Sequence, residues 1–220
     1  MLNSLTDSGT NPTDQTDQLV QAQIQAVEQA QSPETLIAAV RALSGSQSPA
    51  AIPALIAVFG YNNPAASAIA LGAVIAWGDR AVSALITQMD EYNYGARAYS
   101  MRCLATIASV QSLEVLIKAA TADFAPSVRR AAAKGLGNLR WQDLPDSAQI
   151  DTQQQIFTAL TSLCESGDWS IRYAGVVGLQ SLGMRNQYLE QTVRDFLEQY
   201  QHREQDRSVR ARVQLAVNKW

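Results

Sequence analysis

PSVRRAAAKGLGNL, Pro126 to Leu139, decides the fold, because its form returns along the chain. A small or apolar residue precedes an arginine, two residues follow, then another small or apolar position and a Leu or Val one turn on. WSIRYAGVVGLQSLG (Trp169 to Gly183), RSVRARVQLAV (Arg207 to Val217) and YGARAYSMRCLATI (Tyr94 to Ile107) repeat this form. PAASAIALGAVIAWG (Pro64 to Gly78) fits with Ser67 in the arginine's place. The recurring arginines, Arg97, Arg129, Arg172 and Arg210, stand 32, 43 and 38 residues apart.

Such separations lie near the period of paired-helix repeats of the HEAT type. Each copy is followed by a second apolar segment: AVSALITQM (Ala81 to Met89), SLEVLIKAA (Ser112 to Ala120), QQIFTALTSL (Gln154 to Leu163) and YLEQTVRDFLEQY (Tyr188 to Tyr200). Apolar residues there recur at three- and four-residue spacing, so one helix face is buried and the other is not. Upstream, ETLIAAVRALSG and PAAIPALIAVFG make another pair. The pattern predicts an all-α solenoid of about five HEAT-like hairpins and a terminal half-repeat. No single hairpin buries its own apolar face, so residues 19–220 are expected to form one domain. The wide gap between Arg129 and Arg172 is read as an insertion, RWQDLPDSAQID (Arg140 to Asp151), within one hairpin.

Composition narrows the function classes. The 220 residues are 47% hydrophobic and 17% charged, with a formal net charge of -3 and a pI near 5.2. No basic block marks a nucleic-acid binder. Cys103 and Cys164 lie in apolar helical patterns with no CxxC or Cys/His spacing, which suits reduced core thiols, and no metal site is expected. His202 is the only histidine, in a polar context, so His-based triads have no material. The first 18 residues carry no basic start and no apolar run, and they read as a disordered polar tail. No segment reaches the ~18 apolar residues that span a bilayer. A cytoplasmic protein without membrane insertion is expected. GxSxG, P-loop and strand-borne GxGxxG motifs are missing, and KGLGNL (Lys134 to Leu139) is repeat packing.

The repeat accounts for most of the remaining polar residues. Asp168 with Arg172, and Asp206 with Arg210, follow an Asp-x-x-x-Arg pattern in which the aspartate caps a helix and the arginine bridges neighbouring repeats. Aromatic residues beside amides or carboxylates at the helix starts are in excess of what packing needs: Tyr61 to Asn63, Tyr92 to Tyr94, Asp123 with Phe124, and Asp168 with Trp169. They suit either hairpin ends and helix caps, or a strip for a flat conjugated ligand or a protein surface. Any catalysis here would work by holding a reactive ligand beside a partner's nucleophile.

FGYNNPAAS, YNYGARAYSMRCLATI and TADFAPSVRRAAAKGLGNLRW closely resemble the HEAT-repeat subunits of heterodimeric phycocyanobilin lyases, in particular the smaller, beta-type subunits that serve the phycocyanin alpha chain. The resemblance covers roughly residues 30 to 220; YNYGARA followed by DFAPSVRRAAAKGLGNL is far more specific than VRRAAAKGLG alone. It implies a larger HEAT-repeat partner subunit and phycocyanobilin as a transferred ligand, with no tightly bound cofactor. It also implies, for phycobilisome antenna assembly, thioether attachment to a cysteine of the phycocyanin alpha subunit, in either direction. The attacking thiol belongs to the acceptor, so no catalytic cysteine is required of this chain.

A bilin's two propionates want Arg or Lys, its pyrrole N–H groups a carboxylate, and its conjugated surface aromatic faces. On the resemblance, Asp123, Arg97 and Glu91 are the expected catalytic group. Tyr92, Asn93, Tyr94, Tyr99, Arg129, Trp141, Asp168 and Trp169 are the expected bilin-binding group. Among these, Arg97 and Arg129 are matched to propionates, Asp123, Glu91 or Asp168 to the pyrrole nitrogens, and the tyrosines and tryptophans to the ring faces. Related lyases that isomerise the bilin carry a His and Cys-containing motif near a repeat start. The comparable YNNPAAS has neither residue, so attachment without isomerisation is expected. The alternative function is a non-catalytic HEAT-repeat adaptor that binds phycobiliproteins, as in antenna degradation or chromophore removal. A generic protein-binding solenoid is a third.

Overall fold

The three-and-four periodicity of the sequence becomes helix throughout: a computed structural model describes residues 12–220, and every regular element among them is helical. In chain order these are α1 (Pro12–Glu28), α2 (Pro33–Ser44), α3 (Ala51–Ala57, continued by a 3-10 turn at Val58–Gly60), α4 (Pro64–Ala76) and α5 (Val82–Thr87). Then come α6 (Tyr94–Ile107), α7 (Leu113–Ala122), α8 (Pro126–Leu136), α9 (Asp146–Leu163), α10 (Trp169–Met184), α11 (Gln187–Arg203) and α12 (Arg207–Val217). The helices stack as HEAT-like repeats, but among sequence neighbours the close packing is of α1 with α2, α7 with α8, α9 with α10, α10 with α11 and α11 with α12, whereas α6 with α7 and α8 with α9 touch only lightly, so the pairing read from the sequence, each arginine-bearing helix with the one after it, does not hold throughout.

The chain divides into two compact units, Met1–Val74 and Ile75–Trp220, at a point inside α4. In the first, α1 packs on α2 and α3 around Val20, Val27, Val40, Leu43 and Leu55. The polar tail expected over 1–18 lies outside the described residues as far as residue 11. Residues 12–18 form the first turns of α1. Val20 and Val27 bury one stripe of that helix, and once nucleated a helix propagates backwards at little cost.

In the second unit the arginine-bearing helices α6, α8, α10 and α12 pack each on the next, and α7, α9 and α11 lie against them. Met101, Leu104, Leu116, Leu136, Ile156 and Leu160 fill the interior. Small residues set the spacing. A Cβ on Gly178 would lie 2.5 Å from the Ala133 carbonyl oxygen, and one on Gly137 would lie 2.2 Å from the Gly178 carbonyl oxygen. KGLGNL is therefore a packing element where α8 crosses α10.

The expected insertion is only partly irregular. Pro145 and Asp146, an acidic first-turn residue that complements the helix dipole, start α9 well before Gln154. The linker that remains, with a 3-10 turn at Trp141–Asp143, is fastened by Arg140. The Arg140 backbone N–H donates to the Ala108 carbonyl at 2.8 Å, and its guanidinium to the Ile107 carbonyl at 2.8 Å and to Asp79 at 2.6 Å.

Candidate functional site

Each repeat arginine occupies the fourth residue of its helix: Arg97 in α6, Arg129 in α8, Arg172 in α10 and Arg210 in α12, with Ser67 at that place in α4. Three residues before each helix start stand Tyr61, Glu91, Asp123, Ser166 and Glu204. Where an arginine is followed one repeat later by an acid, the two pair. Arg97 holds Asp123 through Nε at 2.9 Å and Nη2 at 3.2 Å, and donates from Nη1 to the Glu91 carbonyl. Arg172 holds Glu204 in the same bidentate way, at 2.8 and 3.0 Å, and reaches back to the Ser166 carbonyl at 2.9 Å. These pairs tie consecutive loops together, which is the bridging role the sequence assigned to the arginines. Arg129 departs from the pattern, since Ser166 stands where an acid would. Its Nε donates to the Ala120 carbonyl at 2.9 Å.

The helix starts are capped as their residue types require. Asn93 Oδ1 accepts from the Ala96 N–H at 3.0 Å. Asp90 accepts from the Tyr92 and Asn93 N–H groups, at 2.8 and 3.0 Å. Asp168 Oδ1 takes the Ser170 N–H and hydroxyl, both at 2.7 Å. Those Ser170 hydrogen bonds hold the Asp168 carboxyl below its ordinary range, so it is ionised at neutral pH. The aromatic residues beside the caps are left outside: Tyr92 is 93% exposed, Phe124 74%, Tyr94 58% and Trp169 51%. Phe124 lies against the Arg97 guanidinium, 4.9 Å from ring centroid to Cζ, and Tyr99 lies against Arg102 at 5.4 Å.

Two grooves of the second unit collect five of the expected residues, while Tyr92, Asn93, Tyr94, Tyr99 and Arg129 line neither. The first, about 520 Å³, is lined by Glu91, Arg97, Asp123, Phe124, Val115 and Lys118, and unites the three expected catalytic residues. Arg97 and Asp123 there are buried or half-buried and satisfy each other. Among the described residues the Glu91 carboxylate has no hydrogen-bond or ion-pair partner. The second groove, about 710 Å³, holds Asp168 and Trp169 together with Arg130, Lys134, Ser170 and Tyr173. Sequence reading missed Arg130, Lys134 and Tyr173. Their signal was the spacing of four in Arg130–Lys134 and in Trp169–Tyr173, which places each pair on one helix face.

Trp141 is not brought to either groove. It follows the end of α8, whereas Asp123 and Phe124 precede its start, and an 11-residue helix separates those ends by about 16 Å. Cys103 and Cys164 are free and buried, and burial pushes both thiols up to about 12. At neutral pH that leaves a thiolate fraction on the order of 10⁻⁵, so neither is a ready nucleophile. Among the described residues no helix is long and apolar enough to cross a membrane, and no group of three His, Cys, Asp or Glu residues is arranged to hold a metal ion.

A family model described as PBS lyase HEAT-like repeat matches residues 35–60 and 128–166. A phycocyanobilin lyase subunit beta of Nostoc sp. is 49% identical over 132 residues, covering 60% of this chain and 66% of that protein. A phycocyanin alpha phycocyanobilin lyase CpcF of Synechocystis sp. is 44% identical over 129 residues, covering 59% of this chain and 60% of that protein. The chain thus spans somewhat under two thirds of the length of these curated relatives. A solved chain from the complex of CpcE and CpcF of phycocyanin lyase from Nostoc sp. superposes with a TM-score of 0.74 at 51% identity, covering 77% of this chain and 99% of that one. A computationally designed armadillo repeat protein, at 16% identity and a TM-score of 0.54, shares the fold alone.

Proposed function

Because the chain belongs to the phycocyanobilin lyase family of HEAT-like-repeat proteins, we propose that it is the beta-type subunit of a heterodimeric bilin lyase. With a larger HEAT-repeat subunit it binds phycocyanobilin and delivers it, reversibly, to a cysteine of the phycocyanin alpha subunit in the cytoplasm. No cofactor is held tightly, and the bilin is cargo. The acceptor's S–H adds across the exocyclic double bond of the bilin A ring: sulfur bonds to the ethylidene carbon, the proton goes to the ring carbon, and no group leaves.

One observation carries this reading: the chain's charged and aromatic groups frame open grooves, while both of its thiols are buried and held at about 12. That is the equipment of a protein that orients two reactants and leaves the nucleophile to the acceptor, where well-oriented groups gain rate from proximity. Arg97 and Asp123 act as positioning residues. They fix the loops that carry Tyr92, Tyr94 and Phe124, whose exposed rings suit contact with a protein partner. The lone histidine, His202, is exposed on α11, no His–Cys pair is adjacent in the sequence, and attachment leaves the bilin unisomerised.

Co-expression of this chain, a larger lyase subunit, apo phycocyanin alpha and a phycocyanobilin supply tests the proposal. Covalent, zinc-fluorescent alpha chain should form only when both lyase subunits are present. Equal labelling without this chain would refute it, and a phycoviolobilin product would refute the absence of isomerisation.

A further inference from the structure

One rung of the arginine ladder has no acid, and the serine in its place keeps the acid's seat. Asp123, Ser166 and Glu204 each stand three residues before the next arginine-bearing helix. Each also accepts the backbone N–H two residues on: Asp123 Oδ1 from Ala125 at 2.8 Å, Glu204 Oε1 from Asp206 at 2.7 Å and Ser166 Oγ from Asp168 at 3.3 Å. The Ser166 oxygen therefore lies where one carboxylate oxygen lies in the other two rungs. It lacks the second oxygen and the charge that hold the arginine of the preceding repeat.

The arginine side matches. Arg97 and Arg172 spend Nε and Nη2 on an acid and Nη1 on the carbonyl six residues back. Arg129 makes only the bond from Nε to the Ala120 carbonyl, and among the described residues its two Nη groups have no partner. It is half-buried, where an anion attracts a guanidinium more strongly than in open water. Ser166 is half-buried beside exposed Gly167, and among the described residues its O–H donates to nothing. The acids near it are engaged: Glu165 pairs with Arg203 at 3.1 Å, and Asp168 caps α10. Arg172 Nη1, at 2.9 Å from the Ser166 carbonyl oxygen, adds positive charge to the same loop.

We propose that Ser166 is a phosphorylation site whose phosphate takes the acid's place and pairs with Arg129, closing the open rung. A serine kinase transfers the group from a nucleoside triphosphate. Ser166 Oγ bonds to the γ-phosphorus, the bond from that phosphorus to the β–γ bridging oxygen breaks, the nucleoside diphosphate leaves and the hydroxyl proton passes to solvent. Phosphoserine brings three strong acceptor oxygens and a charge of about −1.5 to −2 at neutral pH, and a guanidinium fork takes two such oxygens at once. The modification ties α8 to the loop before α10, across the longest interval between successive repeat arginines, and is independent of the bilin-lyase reading.

The full chain synthesised with phosphoserine at position 166 tests the pairing. By ³¹P NMR the second phosphate ionisation should fall about one pH unit below its ordinary value near 6, and return to it with Arg129→Gln. Glu165 and Asp168 oppose that shift and Arg172 adds to it, so the comparison isolates Arg129. The melting temperature should rise by about 4 °C on phosphorylation of the chain with Arg129 and stay level with Arg129→Gln. Taking each difference within one background cancels the lost Ala120 bond. Ionisation near 6 in both proteins, or a rise that Arg129→Gln leaves intact, refutes the pairing. Equal stabilisation of the unmodified chain by millimolar inorganic phosphate would make the rung a free-ion site and overturn the modification. Mass spectrometry of the chain isolated from the cells that make it should place phosphate on Ser166, and a chain bearing none under every growth condition would likewise overturn it.

Discussion

Glu204→Gln puts a number on the arginine ladder. Glu204 is 5% exposed and accepts from both Arg172 nitrogens, from the Tyr200 hydroxyl and, at 2.7 Å, from the Asp206 N–H. Burial alone would raise this carboxyl, but the hydrogen bonds from Arg172, Tyr200 and Asp206 outweigh it and pull the group down to about 2, from an unfolded value near 4.5. A group depressed in the folded state stabilises the fold above its unfolded value, and that stabilisation is lost as pH falls through the folded value. The contribution is therefore about 3 kcal/mol at pH 7, still near that at pH 5, about half of it at pH 3, and almost nothing at pH 2. Glutamine fills the same space without the charge, so the stability gap between the two proteins should follow that curve. Urea unfolding followed by far-UV circular dichroism at pH 7, 5, 4 and 3 measures it, and differencing the two proteins removes the titration of every other carboxylate. A gap that is constant from pH 7 to pH 3, or below about 1 kcal/mol at pH 7, would refute the reasoning.

Arg97→Ala should cost about 3–5 kcal/mol of unfolding free energy, because it strands the Asp123 carboxylate, whereas an apolar replacement of both partners should recover much of it. Bilin transfer measured with the single variant alone would thus report folding, and chemical denaturation separates the two. Gly178→Ala should destabilise by about 2 kcal/mol or more, since its Cβ would meet the Ala133 carbonyl oxygen at 2.5 Å, while Gly72→Ala, with nothing within 4 Å, should stabilise by about 0.5–1 kcal/mol. Both are read from melting curves. Alkylation of Cys103 and Cys164 followed by mass spectrometry should be negligible in the native chain and complete in urea; rapid native labelling of either would contradict their burial and their raised thiols.

The fold was legible because its determinants are local and repeated. The fourth-residue arginine, the asparagine and aspartate caps at Asn93, Asp168 and Asp206, and the four-residue apolar stripes can all be read within one repeat. Residues 12–18 and 146–153 escaped because a polar or mixed surface leaves no apolar stripe to see, although a buried stretch further along carries the helix through them. The candidate site was legible only in part. Tyr92, Tyr94 and Trp169 stood out as aromatics beyond packing, and they are exposed. That Arg97 and Asp123 would spend their charges on each other depends on the register between repeats, where one residue of difference puts Ser166 opposite Arg129 in place of an acid. The α8/α10 groove is likewise a product of two helices laid side by side, visible in the sequence only as two four-residue spacings, one on each helix.

The central claim, that this chain orients the bilin while the acceptor supplies the thiol, is tested most directly by reconstitution from purified parts. Variants Cys103→Ala and Cys164→Ala of this chain, combined with the larger subunit, phycocyanobilin and apo phycocyanin alpha, should still give a thioether adduct on the alpha chain by mass spectrometry. The adduct should vanish when this chain is omitted or when the acceptor cysteine is replaced by serine. Adduct formation that persists without this chain, or that is abolished by the cysteine substitutions in a chain that remains folded, would contradict the account.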